Sequence, residues 1–139
     1  MRALPLLCLL ALPCPALADT FSAVLAKNGI AATQATLEAQ RDPTAADRFA
    51  IGGLRFLGAI EAALQQRWHY GLTDRGGLLP FMHSSIPPNP TPAAFEPGLL
   101  TTVFRDTLSR MDAARAELAD LPPDADFTVT VNFADVWFD

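Results

Sequence analysis

Thiols and positive charge are both scarce in this sequence. Its 139 residues include two cysteines, and ten Lys plus Arg stand against fifteen Asp plus Glu, for a formal net charge of −5. Binding to nucleic acid relies on clustered basic residues that displace phosphate counterions. We therefore expect no nucleic-acid partner. Half of the residues are apolar and only 18% are charged, which is typical of a folded domain rather than a disordered chain.

The N-terminus has the three parts of a secretory signal peptide. A basic start at residues 1–2 precedes an apolar stretch over residues 4–12, and small residues at 16 and 18 stand where a signal peptidase reads them. We predict a signal peptide over residues 1–18, cleaved between Ala18 and Asp19. The protein would then be periplasmic or secreted, and its Ala- and Arg-rich composition with one lysine is typical of a bacterial source.

Cleavage would leave a mature chain without cysteine, because Cys8 and Cys14 both lie in the segment removed. This excludes disulfides, a cysteine nucleophile and thiolate metal sites from the mature protein. No later apolar run approaches the roughly 20 residues of a membrane span. We expect residues 19–139 to form one domain with no membrane span.

Hydrophobic spacing predicts a mainly α fold of about four helices. Two short helices are expected at residues 20–27 and 31–41, with Gly29 between them as a left-handed helix end. The longest helix is expected at residues 45–68, opened by a capping box of Thr44 and Asp47. Its broad apolar stripe predicts a central position, and Gly53 on that stripe predicts a close approach by another helix.

A fourth helix should begin near Glu96-Pro97 and end before Pro122-Pro123. We expect it to bury one apolar stripe. The residues of this stripe are Leu100, Val103, Phe104, Leu108, Met111 and Leu118.

An irregular, proline-rich segment is expected at residues 71–96, because prolines and glycines recur throughout it. Long irregular segments in small domains are often functional. After the fourth helix, a single C-terminal β-strand is predicted from apolar residues that alternate with polar ones. These apolar residues are Phe127, Val129, Val131 and Phe133.

The predicted strand has no partner strand in the sequence that follows it. An unpaired strand edge tends to add strands from another chain. We therefore expect either association through the strand or a longer protein of which these residues are the N-terminal part. A competing explanation is that helices of the same chain cover the apolar residues at the end of the sequence.

Candidate chemistry concentrates near the irregular segment. His69, Asp74 and His83 could together hold a zinc or copper ion, although their spacing matches no established metal motif. Ser84 with His69 and Asp74 could likewise form a hydrolase triad, but the serine lies in no G-x-S-x-G turn. The ordinary alternative is a histidine at a helix end and a second histidine in a loop.

Arg48 and Arg55 share a face of the long helix and could bind an acidic partner, although a solvated face is the commoner explanation. The leading functional prediction is an exported, non-enzymatic binding or interaction module, with an unknown protein or small molecule as its partner and no cofactor. The alternative is an exported hydrolase or metal-dependent enzyme that uses the His69, Asp74 and His83 region.

Overall fold

The computed structural model describes residues 16–72 and 86–138, with side chains from residue 21 onwards. Three α-helices dominate this part of the chain: α1 (Ala16–Glu38), α2 (Ala45–His69) and α3 (Leu99–Ala119). A short 3-10 helix, Phe133–Asp135, lies near the C-terminus. The mainly α class is confirmed, but with three α-helices rather than four.

The helix count differs because the two short helices predicted at the N-terminus run together as α1. Gly29 interrupts α1 with φ 75° and ψ 178°, so its φ is positive as the sequence predicted, yet helix resumes at once on its far side. This combination of dihedrals is essentially restricted to glycine. Gly29 therefore lies at a kink between two helical pieces of α1, at the position where the sequence predicted a break between two short helices.

Helix α2 begins where the sequence predicted. The Thr44 hydroxyl accepts from the Asp47 backbone N–H at 3.2 Å, and the Asp47 carboxylate accepts from the Thr44 N–H at 2.9 Å, which completes the capping box. At the other end, the N–H of Gly71 bonds the Trp68 carbonyl and the N–H of Leu72 bonds the Arg67 carbonyl. With the positive φ of Gly71, these bonds form a Schellman motif.

Helix α2 is central, as predicted, because it packs against both α1 and α3 while those two do not pack on each other within the described residues. The close approach to α3 is at Gly52. The prediction from the sequence that it would be at Gly53 is wrong. A Cβ on Gly52 would lie 2.6 Å from Leu118 Cδ2, whereas nothing lies within 4 Å of one on Gly53. α2 and α3 run antiparallel, since Gly52 meets the C-terminal end of α3.

The core is a small cluster of Leu25, Ile30 and Leu54, each at most 3% exposed. Half-buried apolar residues surround it, two of them from the C-terminal segment. These residues are Phe21, Leu37, Leu57, Val131 and Val136.

The predicted C-terminal strand is wrong: no β-strand occurs in the described residues. Residues 127–132 are extended, and their alternation is real, because Phe127, Val129 and Val131 are half-buried while the residues between them are exposed. Phe127 and Val131 pack on helices instead. The Phe127 ring lies 5.4 Å from that of Phe49 in α2. Phe133 departs from the pattern at 82% exposed.

Phe127 and Val131 are thus covered in part by helices of the same chain. Association with another chain through these residues stays a prediction. Of the irregular segment predicted at residues 71–96, residues 71–72 and 86–96 form neither helix nor strand, and residues 73–85 lie outside the described residues. Helix α3 starts at Leu99, after Gly98, and Pro97 lies in the turn before it.

Candidate binding groove

An apolar groove of about 300 Å³ lies between α2 and α3. From α2 it is lined by Ile60, Ala63, Leu64 and Arg67, from the end of α2 by Leu72, and from α3 by Leu100, Val103, Phe104, Thr107, Leu108 and Met111. Both helices contribute residues spaced three and four apart, which places each set on one helix face. The two faces oppose each other across the groove.

Small residues at one end of the helix pair explain where the groove lies. Gly52 and Ala114 are buried at the close approach, where the lack of a side chain on Gly52 lets Leu118 of α3 pack directly against α2. Towards the other end the facing positions carry branched and aromatic side chains, which are too large for equally close contact. The groove opens there.

The α3 face of the groove is more exposed than the sequence predicted. Leu100 and Phe104 are each 42% exposed and Leu108 is 61% exposed, while Val103 and Met111 are half-buried. Ala114 is the buried residue of α3. The prediction of a buried stripe on this helix is therefore wrong for its exposed members, although the residues do share one face.

The two polar residues of the lining bond to the backbone of this chain. Arg67 Nε donates to the Leu72 carbonyl at 3.1 Å, and the Thr107 hydroxyl donates to the Val103 carbonyl at 2.9 Å. The remaining lining residues are aliphatic or aromatic apart from the Met111 thioether. Such a lining selects an apolar group by shape and by removal from water.

The residues proposed from the sequence as candidate sites lie apart from this groove or outside the described residues. His69 is exposed at the C-terminal end of α2, and its ring packs edge-on against Tyr70 with centroids 4.6 Å apart. Asp74 and His83 lie outside the described residues. Among residues 16–72 and 86–138, no group of three or more His, Cys, Asp or Glu could hold a metal ion.

The backbone carbonyls of Trp68 and His69 accept hydrogen bonds from the irregular segment. The Ala93 N–H donates to the His69 carbonyl at 2.9 Å, and the Asn89 side-chain amide donates to the carbonyls of Trp68 and His69 at 3.1 and 3.3 Å. These bonds satisfy carbonyls that the end of α2 leaves without helical partners. They tie residues 89–93 to the end of α2.

Arg55 has carboxylate partners within its own chain. Its guanidinium pairs with Glu38 at the end of α1 at 2.9 Å and with Glu117 in α3 at 3.1 Å, so it links all three helices. Arg48 is exposed one turn after the start of α2. The predicted cleavage site lies in the first turns of α1, which contain Ala18 and Asp19.

Compared with known proteins, the chain matches no family model, no curated protein and no solved structure. Among the described residues, no helix combines the length and the apolar composition that crossing a bilayer requires.

Sequence reasoning missed the groove because it took the α3 stripe to be covered. The signal was present in the spacing of its residues. The pairing of α2 with α3 fixes which stripes face each other, and the sequence alone does not give that pairing.

Proposed function

We propose that this protein is an exported, non-enzymatic binding module that holds a hydrocarbon group of its partner molecule in the groove between α2 and α3. The observation that carries the proposal is a groove of about 300 Å³ with an apolar lining and exposed leucine and phenylalanine side chains at its edge. Ligand sites in proteins are concave and mostly apolar, and exposed apolar patches commonly mark binding surfaces.

A linear alkyl chain suits this lining better than a polar ligand. Removing one CH₂ from water contributes about 0.8 kcal/mol, which is about fourfold in affinity for each added carbon. A polar ligand would instead lose bonds to water over most of its surface, because every described lining residue except Arg67 and Thr107 is apolar.

Displacement of a naphthylamine dye by saturated fatty acids of increasing length tests the groove. We expect the affinity to rise by about fourfold per carbon until the groove is filled. Leu108→Lys, which puts a charge in the lining, should abolish the length dependence. Phe133→Lys is the matched control, because Phe133 is also a large apolar residue, is more exposed and lies outside the lining. Equal binding by the wild type and Leu108→Lys would contradict the proposed site.

Export is the second part of the proposal and is supported by the sequence pattern at residues 1–18. Expression of the full chain in a bacterium, followed by cell fractionation and N-terminal sequencing, tests it. Mature protein that begins at Asp19 in the periplasmic fraction or the medium is expected. Protein that keeps its first residues and stays in the cytoplasm would refute export without affecting the groove.

A further inference from the structure

Residues 127–131 form a stretch of extended backbone whose peptide groups have no bonding partners. In the part of the chain that the structure describes, no backbone N–H or carbonyl of these residues makes a hydrogen bond. The next residue, Asn132, is the first whose N–H is bonded, to the Ser22 hydroxyl of α1 at 2.9 Å. Extended backbone with unpaired peptide groups is the kind of edge to which a strand of another chain adds.

Side chains hold the C-terminal segment (residues 127–138) in place around this backbone. The Phe127 ring lies 5.4 Å from that of Phe49 in α2, and Val131 packs against the core cluster. Further along, the Trp137 indole N–H is bonded to a carbonyl of α1. Because the segment is already extended and fixed, pairing with another chain costs it little conformational entropy.

The bond to Ser22 shows which edge of the segment is open. In extended backbone the N–H and carbonyl of one residue point to the same edge, and those of the next residue point to the opposite edge. Because the Asn132 N–H points to Ser22, the even-numbered residues before it point to that edge as well. The odd-numbered residues form the opposite edge, which we call the open edge. These residues are Phe127, Val129 and Val131.

The sequence of this stretch is complementary to itself. It reads Phe-Thr-Val-Thr-Val, which has high β propensity and lacks the lysines and prolines that protect natural strand edges. In an antiparallel pair of two copies centred on Val129, Thr128 of one copy lies opposite Thr130 of the other. Phe127 then lies opposite Val131. Threonine pairs and aromatic pairs with β-branched residues are both favourable across strands, and no charge faces another.

We propose that two copies of this protein associate through residues 127–131, which pair as antiparallel strands about a two-fold axis at Val129. The open edges of the two copies exchange roughly six backbone hydrogen bonds in this register. Phe133, which is 82% exposed, follows directly after the paired residues, where the second copy can cover it. Since both open edges are used, association stops at the dimer. The interface contains no residue of the groove lining and is independent of ligand binding there.

Sedimentation velocity of the purified protein, expressed from the full chain, tests the association up to about 1 mM, where weak interfaces are also populated. We expect the mass to rise with concentration to that of a dimer and no further. A monomer at every concentration, or a larger assembly, would overturn the proposal.

Hydrogen exchange measured by NMR at low and high concentration tests which edge pairs. The amides of Phe127, Val129 and Val131 should exchange severalfold more slowly at high concentration, because they gain interchain bonds. The amides of Thr128 and Thr130 should not change, because they point to the other edge. Equal protection of the two sets, or no protection, would overturn the proposal.

Two double variants at exposed positions test the register. In Thr128→Lys with Thr130→Lys, like charges face each other twice across the dimer, which should weaken it by about tenfold. Thr128→Lys with Thr130→Glu is the matched control, because opposite charges then occupy the same places, and it should dimerise at least as well as the wild type. General charge repulsion predicts the reverse order, because two added lysines bring this acidic protein closer to neutrality. Equal dimerisation of the two variants, or the reverse order, would also overturn the proposal.

Discussion

Thr33→Val should stabilise this protein, although it removes a hydroxyl group. Threonine and valine have nearly the same shape and similar helix propensities, so the change replaces a buried O–H by a methyl group and little else. In most proteins that exchange costs stability, because the hydroxyl has a partner. Here the hydroxyl is buried and has no such partner among residues 16–72 and 86–138.

The expected size follows from the cost of burying an unsatisfied polar group, which is about 1–3 kcal/mol. Removal of the Thr33 hydroxyl returns that amount, and the added methyl group lies among buried neighbours where it contributes a further gain. For a chain of this size, 1 kcal/mol corresponds to roughly 3–5 °C in Tm. We therefore expect Tm to rise by roughly 6–10 °C, which corresponds to about 2 kcal/mol, the midpoint of this range of costs.

Thermal and urea unfolding followed by circular dichroism measure the change. Thr36→Val is the control, because Thr36 is exposed in the same helix and its hydroxyl bonds the Ala32 carbonyl. Its effect should stay within about 0.5 kcal/mol of zero. If Thr33→Val is neutral or destabilising while Thr36→Val is neutral, the Thr33 hydroxyl is satisfied in solution and the expected gain is refuted.

Other substitutions test the packing and the polar contacts. Gly52→Ala should destabilise the fold because its Cβ would meet Leu118 at 2.6 Å, whereas Gly53→Ala should stabilise it by up to about 1 kcal/mol through helix propensity; equal effects in urea unfolding would contradict the assigned close approach. Ser22→Ala should cost about 1–3 kcal/mol, since it leaves the Asn132 N–H and the Asp135 carboxylate without this partner; a neutral result would show that the C-terminal segment is undocked in solution. Arg55→Gln should cost at most about 1 kcal/mol in low salt and less in 1 M NaCl, because its ion pairs are partly exposed; a loss that salt does not reduce would exclude a role for charge.

Local sequence signals predicted the starts and ends of elements well. Thr44 and Asp47 predicted the start of α2 because a capping box needs only neighbouring residues. The positive φ of Gly29 was also predictable, since glycine is the residue that adopts it without strain. Whether helix resumes after such a residue depends on what packs against it. The indole ring of Trp137 packs on Gly29 from 108 positions further along the chain, and no local pattern connects the two residues.

The C-terminal segment and the groove show the complementary failure. Alternation at Phe127, Val129 and Val131 gave the correct inward face but the wrong structure, because a period of two indicates extended backbone and does not say whether a strand or a helix receives the side chains. The spacing of apolar residues on α3 likewise predicted correctly that they share one face. It predicted wrongly that this face is buried at Leu108. Periodicity predicts which side chains share a face, and the packing of the elements against one another decides whether that face is buried.

The contact at Gly52 brings α2 and α3 closest together near one end of the helix pair. Leu64 lies twelve residues from Gly52, a distance of roughly 18 Å along α2 at 1.5 Å per residue. If α2 and α3 move slightly apart at Gly52, the distance between Leu64 and the facing side of α3 therefore changes as well. Chain-length selectivity for an alkyl ligand would then respond to the size of residue 52, a position that touches no part of the lining.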